Sequence, residues 1–245
     1  MRVRAALILL LIASQSWADD EPLQIAVTSN FSLVFAQIEE IYSLRTGVPL
    51  RVTNGSTGKL YAQIVNGAPF DIFLAADIER PAHLEEQGLT VPGSRFTYAH
   101  GRLVLWSRNH EDCDKALRGD GFIAIANPAI APFGRAAEEY LRNTGLLDQA
   151  TGRIAYGENV MQAFQFATTG NADVGIVSPS LVNMPHLEPG KCVTPIPSHL
   201  HAPIEQQAAL LARAADDERA RDLLAFLQTD VVHQLIERHG YGVGQ

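Results

Sequence analysis

From residue 23 onward, short runs rich in β-branched residues alternate with stretches of helical periodicity. The run LQIAVTS (23–29) predicts a strand, and the apolar residues after it recur at helical spacing as far as Gly47. Further strand-like runs follow at PLRVTN (49–54) and FDIFLAAD (70–77), each after a helical stretch. Because parallel strands need crossover segments of this length, the pattern predicts an α/β fold whose mostly parallel sheets are flanked by helices.

The same alternation returns in the second half of the chain, which predicts a second lobe. Its strand-like runs are FIAIAN (122–127), RIAYGE (153–158) and ADVGIVS (172–178). The last run, EQQAALLA (205–212), precedes two helical stretches that we expect to return to the first lobe. Ligands of open α/β sheets bind beyond the carboxyl ends of the strands, so we expect a cleft between the two lobes.

The predicted boundaries follow from this pattern. We assign residues 19–98 and 207–245 to lobe I and residues 99–206 to lobe II. Two crossovers, near 98–101 and 203–207, then form a hinge of ordered strands, because neither resembles a flexible Gly/Ser or Pro linker.

The N-terminal segment MRVRAALILLLIASQSWADD has the features of a secretory signal peptide. Arg2 and Arg4 precede an apolar run, and small and polar residues follow it, so we predict that residues 1–18 are removed by cleavage after Ala18. The apolar run is about half the roughly 20 residues that span a bilayer. The cleavage site lacks the cysteine of a lipid anchor, and we expect a periplasmic protein.

Charge and cysteine content narrow the function further. A net charge of −8 argues against a nucleic-acid-binding protein, because such proteins carry a concentrated basic surface. Cys113 and Cys192 are the only two cysteines, and in an exported protein they either form a disulfide or remain two separate buried thiols. No close cysteine spacing indicates a metal site.

The segment VTNGSTGKLYAQI (52–64) has a glycine-lysine pair near a predicted helix start, as in the phosphate loop of nucleotide-binding proteins. That motif requires a glycine where Thr53 lies and a hydroxyl where Leu60 lies, so it is not satisfied. A strand followed by Ser56 and Thr57 at a helix start instead indicates a cap, or an anion site at the positive end of the helix dipole.

Three further strand-to-helix junctions resemble this one. They are AVTSNF with Ser29 and Asn30, NPAIAPFG (127–134) and YGENVMQA (156–163). Two junctions fall in each lobe, and we expect all four to converge on the cleft. Free backbone N–H groups there would bind an anion without any arginine.

These junctions, together with VPGSRFTYAHGRLVLWS and the ending LLAFLQTDVVHQLIERHGYG, resemble the periplasmic molybdate-binding proteins of ABC importers. The resemblance runs from about residue 23 to 243. It implies a two-lobe type II periplasmic binding protein that captures molybdate, and tungstate, through neutral hydrogen-bond donors and delivers it to a permease in the inner membrane. We expect a monomer with no cofactor and no direct cation ligand, since molybdenum enters as the oxyanion.

The resemblance also implies the ligand positions. Ser29 and Asn30 would serve in the first lobe with Thr57, for which Ser56 is the alternative, and Phe133 and Val160 would offer backbone N–H groups in the second. Some relatives add a tyrosine hydroxyl after the G-I-V strand, where this chain has Ser178. A cage made only of donors favours a fully deprotonated anion, because a protonated oxygen would face a donor.

Other functions have weaker support in the sequence. No G-x-S-x-G or comparable signature accompanies the serines, so we expect no enzymatic activity. His199 and His201 form an H-x-H that a transition metal would accept, but a surface hairpin or linker near the second crossover explains it better, because no His, Asp or Glu at metal-ligand spacing lies nearby. A receptor for another oxyanion or a transition metal on the same scaffold is therefore the alternative.

Overall fold

The computed structural model describes residues 21–184 and 187–243, and the predicted signal peptide lies outside them. The strands are β1 (Leu23–Thr28), β2 (Leu50–Gly55), β3 (Ile72–Leu74), β4 (Phe96–Gly101), β5 (Val104–Ser107), β6 (Ile123–Ala126), β7 (Ile154–Gly157), β8 (Val174–Val177), β9 (Cys192–Pro195) and β10 (Ile204–Leu210). The α-helices are α1 (Ser32–Thr46), α2 (Thr57–Val65), α3 (Glu79–Glu86), α4 (Cys113–Arg118), α5 (Pro132–Asn143), α6 (Leu147–Ala150), α7 (Val160–Thr168), α8 (Pro179–Val182), α9 (Glu218–Leu227) and α10 (Asp230–Arg238). Short 3₁₀ helices lie at Ser29–Phe31, Ser198–Leu200 and Ala212–Ala214.

These strands form two five-stranded sheets with the same plan. The first sheet has the order β2-β1-β3-β10-β4, and the second has the order β7-β6-β8-β5-β9. In each sheet four strands run in one direction, while the fifth, β10 or β5, runs against both of its neighbours. The predicted α/β fold with two mostly parallel sheets is confirmed.

The chain passes between the sheets along the two predicted crossover segments. It leaves the first sheet after β4, enters the second at β5, and returns from β9 to β10. Strands β4 and β10 are antiparallel neighbours, with His100 opposite Glu205. Both strands run continuously past the lobe boundaries that the sequence predicts, β4 to Gly101 and β10 from Ile204.

The central strands β1 and β3 of the first sheet are apolar on both faces because helices cover both faces, whereas the edge strand β2 is partly exposed. On β1, Ile25 and Val27 pack in one core cluster with Phe35 of α1, while Ala26 packs in another with Leu60 of α2. A parallel sheet buried in this way needs continuous apolar runs, which is the pattern that the sequence shows. Helix α1 ends where predicted, at Gly47, whose φ of 74° suits a residue without a Cβ.

Several elements of the second sheet region were not predicted, among them β9 and the short helices α4, α6 and α8. Cys192 begins β9 and Cys113 begins α4, and the structure joins them in a disulfide. None of the helices within 21–184 and 187–243 is long and apolar enough to cross a membrane.

Candidate functional site

The first junction follows β1, where the chain enters the 3₁₀ helix Ser29–Phe31 directly before α1. Ser29 and Asn30 are both buried. The Ser29 hydroxyl forms no hydrogen bond with any described residue, so it is available to a ligand. Amide N–H groups at such a helix start have no acceptor in the preceding turn, which leaves them available as well.

The Asn30 side chain is fully engaged by the protein. Its Nδ2 donates to Gln206 Oε1 at 2.7 Å and to the Tyr241 hydroxyl at 3.1 Å, and its Oδ1 accepts from Thr28 Oγ1 at 3.0 Å. An amide nitrogen has two hydrogens, and both are used here. Asn30 therefore has only its main chain to offer a ligand.

The second junction joins β2 to α2 through Ser56 and Thr57, which are both buried. Ser56 is the N-cap, and its Oγ accepts from Lys59 N at 3.4 Å, while its own proton has no acceptor among the described residues. Thr57 Oγ1 accepts from Ala76 N at 3.1 Å and lies 3.1 Å from Thr28 Oγ1. The Thr57 proton is free for a ligand only when Thr28 donates to Thr57 rather than to Asn30.

The third and fourth junctions belong to the second sheet. Ala131 is the N-cap of α5, and Phe133 lies in the first turn after Pro132. Asn159 caps α7 by accepting from Gln162 N at 3.0 Å, and Val160 is the first residue of that helix. The main-chain N–H groups of Phe133 and Val160 thus lie in first turns, where the helix supplies no acceptor.

All four junctions meet at one small cavity, most of whose lining residues are buried. It leaves about 10 Å³ for the centre of a water-sized body, which is about the space that one water molecule needs. The lining residues are Thr28, Ser29, Asn30, Ser56, Thr57, Ala131, Pro132, Phe133, Asn159 and Val160. This set has hydroxyls, two amides and helix N-termini but no charged side chain, so its polarity towards a ligand comes from neutral donors and helix dipoles.

Contacts between the two halves close the cleft around this cavity. Gly58 N donates to Ile130 O at 2.9 Å, which fastens the start of α2 to the loop before α5. On one side of this contact, Lys59 forms an ion pair with Glu158 at 2.6 Å. These two contacts join the halves of the molecule beside the cavity, so the structure is a closed form.

Arg135 of α5 forms a second ionic contact across the cleft. It lies 2.7 Å from Glu79 and 3.4 Å from Asp77, and Asp77 also pairs with Arg80. Burial raises the pKa of Asp77, and the two guanidinium groups oppose that effect.

A larger groove of about 260 Å³ adjoins these charges, between Asp77, Glu79, Arg135, Glu139 and Glu205. Four carboxylates surround one guanidinium there, so the groove repels anions. Of the two spaces, only the small uncharged cavity suits an anionic ligand.

The chain was compared with known protein families and structures. The family described as bacterial extracellular solute-binding protein matches residues 23–242. The chain belongs to this family.

Members with curated names are closely similar over most of the chain. The molybdate-binding protein ModA of Azotobacter vinelandii is 39% identical over 225 residues, covering 90% of this chain and 89% of that protein. ModA of Rhodobacter capsulatus is 39% identical over 220 residues, covering 88% and 86%. The solved structure of the Azotobacter vinelandii periplasmic molybdate-binding protein superposes with a TM-score of 0.86 at 36% identity, covering 91% of this chain and 100% of that one.

The structure brings together every oxyanion-site residue that the sequence predicted. Ser29, Asn30, Thr57, Phe133 and Val160 all line the small cavity, and so does the alternative, Ser56. Their contact with an anion stays a prediction. No local pattern indicated the partners that hold Asn30, because Gln206 and Tyr241 lie 176 and 211 residues away from it.

Ser178 and the two histidines lie outside the lining of the cavity. Ser178 is fully buried and bonds Ser180 Oγ at 2.9 Å and the Tyr241 hydroxyl at 3.2 Å. His199 is exposed, whereas His201 is buried with its Nδ1 2.7 Å from Ala202 O. Within the described residues, no group of three His, Cys, Asp or Glu side chains is placed to hold a metal ion.

Proposed function

We propose that this chain is a periplasmic receptor that binds molybdate in the small cavity and delivers it to an ABC permease in the inner membrane. The observation that carries the proposal is the convergence of four strand-to-helix junctions, two from each sheet, on one small and uncharged cavity. The names of the relatives at 39% identity support molybdate as the ligand.

The donor chemistry of the cavity suits a fully ionised oxyanion. The Ser29 and Ser56 hydroxyls have free protons, and the first-turn amides of α5 and α7 add main-chain donors. A hydrogen bond to a charged group contributes about 1.5–3 kcal/mol, so five such bonds are enough for micromolar or tighter binding after ordering costs. Tungstate has the same charge and shape, and we propose that it binds as well.

The lining of the cavity disfavours organic acids. It contains no arginine that would bind the carboxylate of a sugar acid or an amino acid with two hydrogen bonds. The alternative is a receptor for another small oxyanion, such as sulfate or phosphate, and the sequence resemblance and the donor-only lining favour molybdate over phosphate, which keeps a proton near neutral pH.

We also propose that binding uses the two lobes as a clamp, with residues 19–98 and 207–245 in one lobe and 99–206 in the other. The separate sheets and the paired strands β4 and β10 support this division. A ligand that touches both lobes favours the closed form by its differential affinity. The same neutral site offers no nucleophile with a base in reach, so we propose binding without catalysis.

Isothermal titration of the anion-stripped mature protein tests the proposal. Molybdate and tungstate, titrated separately, should bind with submicromolar Kd, and sulfate and phosphate should bind far more weakly. The absence of heat with molybdate would reject the proposal. Equal affinities for molybdate and sulfate would instead support the oxyanion alternative.

A main-chain variant identifies the site. Val160→Pro removes one N–H at the first helical position, where proline is tolerated, and Asn159 before it is already extended. We expect about a tenfold loss of molybdate affinity from the missing bond. Val160→Ala keeps the N–H and is the matched control; equal losses in both variants would remove that amide from the site.

A further inference from the structure

A buried cluster of hydroxyl and amide groups adjoins the anion cavity, and its centre is the Tyr241 hydroxyl. This oxygen donates to Asn30 O at 2.6 Å and accepts from Asn30 Nδ2 at 3.1 Å. It also lies 2.9 Å from Ser180 Oγ and 3.2 Å from Ser178 Oγ. All four residues are at most 3% exposed, so water does not compete for these bonds.

The main chain of Asn30 is held from two directions by this cluster. Its carbonyl oxygen accepts from Tyr241 and, at 2.9 Å, from Ser180 Oγ. A carbonyl oxygen has two lone pairs, and both are used here. Because the peptide unit is planar, fixing the carbonyl fixes the orientation of the whole unit after Asn30, a residue that lines the cavity.

The cluster also joins the two halves of the molecule. Ser178 and Ser180 follow β8 of the second sheet, whereas Tyr241 follows α10 and its ring packs edge-on against Phe31 at 5.7 Å. The backbone beside Tyr241 also lies close to helix α8, which contains Ser180. A Cβ added at Gly240 would be only 2.9 Å from Pro179 Cβ of that helix. One hydroxyl thus contacts the first-lobe wall of the cavity and the second lobe together.

The Tyr241 side chain is neutral in this environment. Burial raises the pKa of its hydroxyl, and the bonds from Ser178, Ser180 and Asn30 offset only part of that effect. A neutral phenol keeps its proton for the Asn30 carbonyl and places no negative charge next to an anion.

We propose that Tyr241 is a positioning residue that sets the selectivity of the cavity among oxyanions, a proposal that rests on the proposed function. Tetrahedral oxyanions of equal charge differ mainly in size, so a cavity separates them only while its walls stay fixed. By holding the Asn30 main chain against the second lobe, Tyr241 keeps one wall at the spacing that suits the larger anion. Without that restraint the wall adjusts to a smaller anion, and discrimination falls.

The test compares Tyr241→Phe with the wild-type protein by titration with molybdate and with sulfate. The ring and its packing on Phe31 remain, and only the hydroxyl is lost. We expect molybdate to bind about tenfold more weakly, as for loss of one buried hydrogen bond that leaves its partners unpaired. The ratio of the sulfate Kd to the molybdate Kd should fall by at least fivefold, because sulfate binding does not weaken in proportion.

Tyr42→Phe is the matched control. Tyr42 is also buried, and its hydroxyl donates to Arg219 O at 3.1 Å, on a residue that does not line the cavity. Like Tyr241→Phe, this variant loses a buried tyrosine hydroxyl that donates to a main-chain carbonyl. Any general effect of that loss on stability should therefore appear in both variants. We expect its Kd values and their ratio to match the wild type.

A second variant, Ser180→Ala, removes the other donor to the Asn30 carbonyl and should lower the ratio in the same direction. If Tyr241→Phe does not fold, the ratio of Kd values measured for Ser180→Ala tests the positioning role instead. Equal weakening of both anions, or an unchanged ratio in the variants, would overturn the positioning role while leaving the receptor function intact. A wild-type protein that does not bind molybdate would overturn the proposed function itself.

Discussion

A methyl group added at Gly58 is expected to weaken ligand binding without lowering the stability of the anion-free protein. Gly58 lies in the first turn of α2, and its N–H donates to Ile130 O across the cleft. A Cβ built there would lie 2.9 Å from Ile130 O and 3.0 Å from Ile130 Cα. Both contacts are with backbone atoms, which do not swing aside as a flexible side chain would, so Gly58→Ala should keep the two lobes apart.

The size of the effect follows from these distances. To reach ordinary van der Waals distances, the lobes would have to separate by a few tenths of an ångström, which strains the closed form. Overpacking of this kind costs about 1–3 kcal/mol. The Gly58 to Ile130 hydrogen bond lengthens as well, and its loss costs about 0.5–1.5 kcal/mol. Together these changes amount to about 1.5–4.5 kcal/mol, which predicts roughly tenfold to two-thousandfold weaker molybdate binding.

The anion-free protein should respond in the opposite way. In an open form the methyl group meets no neighbour across the cleft, and alanine favours a helix by up to about 1 kcal/mol over glycine. We therefore expect thermal unfolding of the anion-free variant at or slightly above the wild-type temperature. Gln63→Ala, at an exposed position of the same helix, controls for propensity and should leave affinity unchanged.

Titration calorimetry of both variants with molybdate, paired with unfolding scans without anion, measures the two effects. A Gly58→Ala protein with wild-type affinity would refute the reasoning, because the Gly58 to Ile130 contact would then be absent from the ligand-bound form. A loss of affinity matched by a similar loss of anion-free stability would refute it too, since the damage would lie within the first lobe.

Three further outcomes are expected. Ser56→Ala should weaken molybdate binding by about 1–3 kcal/mol in titration. Thr57→Val should weaken it by a similar amount only if the Thr28 hydroxyl donates to Thr57 rather than to Asn30, because the Thr57 proton is then free for the ligand. A wild-type Kd in Thr57→Val would show that the Thr57 hydroxyl does not bind the anion. Changing Cys113 and Cys192 together to serine should lower the unfolding free energy by about 4 kcal/mol, the chain-entropy value for a loop of 79 residues, with little effect on Kd. Burial lowers the pKa of His239, and the charge of Arg238 contributes to the shift. The neutral imidazole therefore stabilises the fold above the ordinary histidine pKa of about 6.5, and this stability is lost as pH falls through the lowered pKa. His239→Gln should flatten that part of the stability profile measured by denaturant titration, and an unchanged slope would count against it.

The sequence predicted the fold well because both faces of its central strands are covered. Ile25, Val27 and Ala26 all had to be apolar, and such a run is visible without any knowledge of partners. The sequence missed β9, whose four residues CVTP are too short and too polar to stand out from a loop. It also missed α4, a single short helix between two turns.

The candidate site was predictable to the level of the residue but not of the atom. Junctions at the carboxyl ends of parallel strands gather at one edge of each sheet, and this indicated the segments around Ser29 and Val160. The individual positions within those segments came from the resemblance to the molybdate-binding proteins. Which group of Asn30 faces the cavity depends on Gln206 and Tyr241, which approach only in the folded chain. No local pattern contains that information.

The position of β10 in the first sheet has a consequence for the order of folding. This strand separates β3 from β4, although it is made about a hundred residues after them, so the first sheet stays incomplete until the chain has passed Leu210. The second sheet uses only residues between Val104 and Pro195, and contacts of shorter range form faster. We expect pulsed hydrogen exchange during refolding to protect β6 before β1, and simultaneous protection would contradict this order. A binding site shared by both sheets would then be the last part of the molecule to mature, after the final segments of the chain have arrived.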